Sequence, residues 1–204
     1  YGIVEAGRNN LNSLVVENIQ SLILSITDTT SAEEISEIKA AYNALVESDK
    51  AYVSSEAKER LLTAEERIAS ALNAEIDNLA NVESLENEAI ELKIDALEKT
   101  YQNLSDEAKL TVNYAKLLAY KQSYFEKVFQ DLPNVAEAEY EEILSAVENV
   151  ERVYNKYIAE NDSTDIVAYK TQFAERIISE LPDLTNITVW QTHITEKIHV
   201  VKDL

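Results

Sequence analysis

The stretch Ile94-Asp95-Ala96-Leu97-Glu98-Lys99-Thr100-Tyr101-Gln102-Asn103-Leu104 decides the fold of this chain. Its apolar residues Ile94, Leu97, Tyr101 and Leu104 stand at i, i+3, i+7 and i+10, which lays four side chains along one stripe of an α-helix. The spacing recurs at Ile35, Ile38, Tyr42 and Leu45, and again at Val147, Val150, Tyr154 and Tyr157. The copies lie 59 and then 53 residues apart (94 − 35 and 147 − 94). A period of that size marks an array of small supersecondary units, each burying its apolar face against the next.

A second repeated phrase marks the joints between units. Ile76-Asp77-Asn78-Leu79-Ala80-Asn81-Val82 is matched by Phe129-Gln130-Asp131-Leu132-Pro133-Asn134-Val135 and by Ile178-Ser179-Glu180-Leu181-Pro182-Asp183-Leu184. Proline cannot continue a helix, and Asn or Asp beside it favours a turn, so each phrase closes one helix and leads into the next. The first tyrosine-bearing helix opens with Thr30-Ser31-Ala32-Glu33-Glu34, a capping-box arrangement. A polar break follows each tyrosine-bearing helix, at 46–49, 105–107 and 161–165. These breaks place Ser or Asp where a helix needs an N-cap and carboxylates near its positive end. The helix after each break carries Val53, Val112 or Val167 near its start. Between residues 54 and 79 there is no proline, glycine or turn cluster, which predicts one helix serving two neighbouring units.

The spacing from these valines to the following joint shrinks from 26 to 20 to 14 residues (53 to 79, 112 to 132, 167 to 181). Losing six residues does not return a helix to the same face, so either the third unit is out of register or successive bundles rotate. Near the end of the chain, Ile198 and Val201 would repeat Val147 and Val150, with the tyrosine position falling just beyond Leu204. That register and the absence of methionine lead us to expect a piece of a longer polypeptide, cut inside a fourth unit.

Composition narrows the function classes. The only glycines in the 204 residues are Gly2 and Gly7, and the only prolines are Pro133 and Pro182. Hairpins, bulges and phosphate-cradling loops need glycine, so the chain is read as all-α, without a dinucleotide or P-loop fingerprint. A formal net charge of −20 repels phosphate backbones and anionic lipid, which argues against nucleic acid and against membrane surfaces. With no cysteine, disulfide and zinc-thiolate chemistry are excluded. No run of 18 apolar residues offers a membrane span. Units of about 50 residues bury only ~60% of their unfolded surface, so stacking is expected to be a condition of their stability.

The phrase Tyr101-Gln102-Asn103-Leu104-Ser105-Asp106-Glu107-Ala108-Lys109, followed by Val112-Asn113-Tyr114 and Lys116-Leu117, resembles a helical repeat of large exported proteins of Gram-positive bacteria, which typically reads AYDALTDEQKALVTNYDKLTAAE. Ala41-Tyr42-Asn43-Ala44-Leu45 with Leu61-Leu62-Thr63-Ala64-Glu65 matches it more loosely. The third copy keeps Tyr154, Val167 and Tyr169 but loses the Ser-Asp-Glu break. The resemblance implies an extracellular location, at the cell surface or secreted, and a spacer or stalk beside adhesive or catalytic domains. Its pattern contains no catalytic residue to carry over.

Candidate sites are few. Glu196-Lys197-Ile198-His199 has the Glu-x-x-His spacing, but a carboxylate di-metal bundle needs a second such motif, and His193 turns to another face. Neither a nucleophilic triad nor a calcium-loop phrase is legible. Glu141 and Glu142 are paired carboxylates of the kind found on any acidic helix, with no cleft indicated. Tyr42, Tyr101 and Tyr154 are read as core residues whose hydroxyls reach the rim. Tyr114, Tyr120, Tyr124, Tyr140 and Tyr169 are candidates for an exposed aromatic interaction surface. Trp190 lies near the start of the cut helix and would be exposed if its partner unit is missing.

The sequence thus leads us to expect an all-α tandem array of small three-helix bundles with helices shared across the joints, elongated as a spectrin-like rod. Its units are residues 1–80, 81–132 and 133–181, with 182–204 opening a fourth. The expected function is that of a non-catalytic spacer in a bacterial surface or secreted protein, without catalytic residues, cofactor or metal. Its partners would be the adjacent domains of the same polypeptide. The alternative is an adhesin-type module recognising a host protein or cell-wall glycan.

Overall fold

Chain stretches without glycine or proline, bounded by Ser, Asn and Asp, form helices, and every regular element among the described residues is helical. The computed structural model describes residues 2–158, 163–181, 197, 199 and 200, with side chains from residue 12 onward. The trio 197, 199 and 200 apart, the expected joint residues Pro182 to Leu184 and the expected start of a fourth unit, including Trp190, His193, Ile198 and Val201, lie outside these residues. In chain order the helices are α1 (Gly2–Leu24), α2 (Ala32–Asn43), α3 (Glu47–Lys50), α4 (Ser55–Asp77), a 3-10 turn (Val82–Ser84), α5 (Asn87–Gln102), α6 (Asp106–Lys109), α7 (Tyr114–Gln130), α8 (Tyr140–Tyr157) and α9 (Thr164–Ser179). None is long and apolar enough to cross a membrane.

The chain forms two compact units, 1–117 and 118–204, and the division falls inside α7. The sequence reading expects smaller units, bounded at 80, 132 and 181.

Among the described residues of 1–117, two apolar cores flank the middle of α4. The first gathers Val16, Ile19 and Ile23 of α1, Ile35 of α2, then Leu45 and Val53, against Ala57, Leu61 and Ala64 of α4. The second gathers Ala69, Leu72 and Ile76 of α4 with Leu97, Leu104, Ala108, Val112 and Leu117. One unbroken helix therefore feeds both, its first half in one core and its second half in the other, with Ile68 packed against each. The helix anticipated over 54–79 is this one, capped at its start by Ser54, whose hydroxyl accepts from the Ala57 amide.

Helices α1 and α4 end 53 residues apart, at Leu24 and Asp77. Their buried residues share that offset: Val16, Ile19 and Ile23 correspond to Ala69, Leu72 and Ile76. Gln20 corresponds to Asn73, and each holds the chain entering a later helix. Gln20 Oε1 accepts from Ser54 N at 2.8 Å, and Asn73 Oδ1 accepts from Asn113 N at 2.8 Å. Asn73 Nδ2 also donates to Thr111 O at 2.9 Å.

Two breaks differ from the sequence reading. Residues 46–49 and 105–107 do not lead straight into long helices; they build the one-turn helices α3 and α6. In both, a lysine folds back over the stripe tyrosine, Lys50 over Tyr42 at 5.8 Å and Lys109 over Tyr101 at 5.7 Å from the ring centroid. Such a contact favours the cation over the negative face of the ring.

In residues 118–204, Ile143 and Val147 of α8 pack with Phe173 and Ile177 of α9. Val167 was aligned with Val53 and Val112, which are buried, yet it is 47% exposed while Ile166 is buried. The cause is where α9 starts. Ser163 accepts from the Ile166 amide, and the buried stripe then runs Ile166, Phe173, Ile177 from that cap.

Candidate functional site

The most distinctive polar arrangement lies at the midpoint of α4. Glu65 stands four residues after Leu61 and seven before Leu72, on the buried face of an amphipathic helix, and is itself buried. Its Oε1 accepts from Lys39 Nζ of α2 at 2.5 Å and from Ser105 N at 2.9 Å. Lys39 Nζ also donates to Asn103 O at 3.0 Å. Asn103 closes α5 and Ser105 caps α6, so the pair grips both sides of one chain corner. The cation takes a carbonyl at a helix C-terminus and the anion takes an N–H at a helix N-terminus, the favoured ends for each charge. The side chains are 14% and 7% exposed, so both ions have left water and their hydrogen bonds must offset that cost.

A cavity of about 410 Å3 adjoins the pair, walled by Ile35, Ile68 and Leu104 together with Ser36, Ala96 and Thr100. Lys99 Nζ and Glu33 Oε1 pair at 3.0 Å beside it, but both side chains are exposed and water screens them.

The position of Lys39 recurs as Glu98 and Glu151 at the same offsets of 59 and 53, and each copy bonds to an element that follows it. Glu98 accepts from the Tyr114 hydroxyl at 2.8 Å. Glu151 pairs with Lys170 of α9 at 2.8 Å, reversing the sign of the Lys39–Glu65 contact.

Of the five tyrosines expected on an interaction surface, Tyr124 is buried and the other four are half-buried. Tyr124 is fully buried and meets the edge of Tyr157 at 6.0 Å. Tyr114 is half-buried, stacked on Tyr101 at 4.2 Å, and burial with the Glu98 contact raises its hydroxyl above the usual phenol range. Tyr120 is half-buried, its hydroxyl without a hydrogen-bond partner and pushed up by burial. Tyr169 is half-buried and donates to Pro133 O at 2.7 Å. Tyr140 is half-buried, packs on Phe173 and carries Arg176 at 5.0 Å from its ring. Aromatic rings on these helices are used for burial, as their large apolar area favours. Among the described residues the exposed tyrosine is Tyr52, which the sequence did not single out.

Tyr140 belongs to a second polar cluster. Glu180 accepts from Tyr140 Oη, from Arg176 Nε at 2.9 Å and from Lys197 Nζ at 2.8 Å. The bonds from Lys197, Tyr140 and Arg176, in that order, hold the carboxyl down at about 2. Arg176 Nη1 meanwhile donates to Val135 O at 2.5 Å and Ala138 O at 2.7 Å, tying the α7–α8 connection to α9. Arg60 and Arg67 of α4 do the same for the α1–α2 connection, reaching the carbonyls of Leu24 and Thr30 at 2.7 and 2.6 Å.

Of the Glu-x-x-His motif, His199 is exposed and Glu196 lies outside the described residues. Among the described residues no three His, Cys, Asp or Glu side chains converge on a metal-sized site. Glu141 and Glu142 are exposed at the first turn of α8. Comparison with protein-family models, curated proteins and solved structures finds no match to this chain.

Proposed function

We propose that this chain is a spacer: a tandem array of three-helix bundles, elongated as a rod, within a larger bacterial surface or secreted protein. The observation that carries the reading is α4, one helix of 23 residues whose two halves enter two different cores. At ~1.5 Å per residue such a helix spans ~35 Å without a flexible joint. Bending between the bundles would require breaking α4 or unpacking Ile68, which packs against both cores. The 53-residue offset between the buried residues of α1 and α4 supports the same plan, in which a helix that ends one bundle begins the next. The extracellular setting rests on the resemblance of residues 101–117 to the Gram-positive repeat.

The adhesin-type alternative calls for an exposed aromatic face, and of its five tyrosines Tyr124 is fully buried. Sedimentation velocity tests the spacer reading. A rod of 23.0 kDa sediments more slowly than a compact globule of that mass, and a globule-like frictional ratio would contradict the proposal.

A further inference from the structure

We propose that the Lys39–Glu65 pair is a positional latch that sets the angle at which the second core sits on α4. The inference rests on the spacer reading and adds to it the residues that fix the joint. Four elements meet in the latch: Lys39 from α2, Glu65 from α4, the Asn103 carbonyl ending α5 and the Ser105 amide opening α6. Apolar contacts around α4 hold the cores together but are not directional. A pocket of about 410 Å3, open to solvent, borders the α5–α6 corner, so on that side apolar packing alone leaves the corner free to shift. The latch removes that freedom, because its bonds require both the carbonyl and the amide of one corner to stay in place.

Stability alone does not call for charge at this point. Ile35, Ile68 and Leu104 line the adjoining pocket beside Glu33, Lys99 and Asn103, and apolar replacement of a buried ion pair often preserves stability. In this joint the pair is retained for the single arrangement it specifies, a role that buried ion pairs fill in some proteins. Lys39 and Glu65 are thus positioning residues, and their removal frees the joint without unfolding the cores.

The chain has no cysteine, so spin labels can be placed without background. Asn18→Cys on α1 and Glu88→Cys on α5 put one label on the first core and one on the second, both at exposed positions. Pulsed dipolar spectroscopy should give one narrow distance peak for the otherwise unaltered chain. Lys39→Met with Glu65→Leu should lose that peak to a broad distribution while the protein still melts cooperatively, its midpoint lowered only modestly because Ser105 N and Asn103 O lose their partners. Glu33→Gln with Lys99→Met, which removes the screened pair beside the same cavity, should leave the peak narrow. A narrow peak in the Lys39/Glu65 variant overturns the latch and leaves the spacer standing. A broad distribution in the unaltered chain overturns the spacer itself.

Discussion

Breaking α4 without touching either core is the sharpest perturbation available. Glu66 lies at the middle of the helix, between Ala64 of the first core and Ala69 of the second, and is exposed. Glu66→Pro therefore removes no packing. It deletes an amide that bonds to residue 62 and drives the ring against that turn, a cost of ~3 kcal/mol or more. Against a domain stability of ~5–15 kcal/mol this should leave the protein folded but change how its parts unfold. Glu66→Ala is the control and should shift stability by no more than ~0.5 kcal/mol. The assay is amide hydrogen exchange across a urea series, read in peptides from α1–α2 and from α5. With α4 intact the two sets should lose protection together. In the proline variant their midpoints should separate. Midpoints that already differ in the unaltered chain, or that stay coincident in the variant despite a ~3 kcal/mol loss, would refute coupling through the backbone of α4.

Other expectations follow from single contacts. Ile76→Ala empties a fully buried site in the second core and should cost ~2–5 kcal/mol in urea unfolding. Asn73→Ala strips partners from Asn113 N and Thr111 O, and should cost ~1 kcal/mol, while a matching loss at Gln20→Ala would show that the two amides do the same work. Ser31→Ala removes a capping box in which Ser31 Oγ accepts from Glu34 N at 3.2 Å and Glu34 accepts from Ser31 N at 2.9 Å; circular dichroism melts should show a loss of ~1 kcal/mol. The Glu180 carboxyl is depressed to about 2, so its contribution is complete above the unfolded carboxylate range and fades as pH falls from there towards 2. Glu180→Gln should flatten that acid limb, and an unchanged limb would assign it to other groups.

The helical stripe was legible because the 3.6-residue period needs only local sequence. Ile35, Ile94 and Val147 are buried, while Tyr42, Tyr101 and Tyr154 are half-buried as rim residues. Cap chemistry was readable too, at Ser31 and Ser105. The one-turn helices α3 and α6 escaped notice because four residues are too few to show a period. Val167 was misplaced because its register was counted from the break and not from the Ser163 cap, which fixes the phase of α9. The latch joins residues 26 and 40 positions apart, a pairing no local pattern reveals. A signal was present all the same: Glu65 is a charge on the buried stripe of α4, where an ion is costly unless something meets it. The tyrosines were ambiguous for a different reason. Tyr124 and Tyr114 sit at helical spacing that serves core and surface alike, and only the packing of α7 decides between them.

Small-angle scattering tests the central claim most directly. A globule of about 200 residues has a radius of gyration of ~17 Å. Bundles threaded end to end on helices rising ~1.5 Å per residue should raise it to roughly 25 Å, with a pair-distance distribution skewed to long distances. A value near ~17 Å with a symmetric distribution would mean that the chain folds into one ball, and the spacer account would fall.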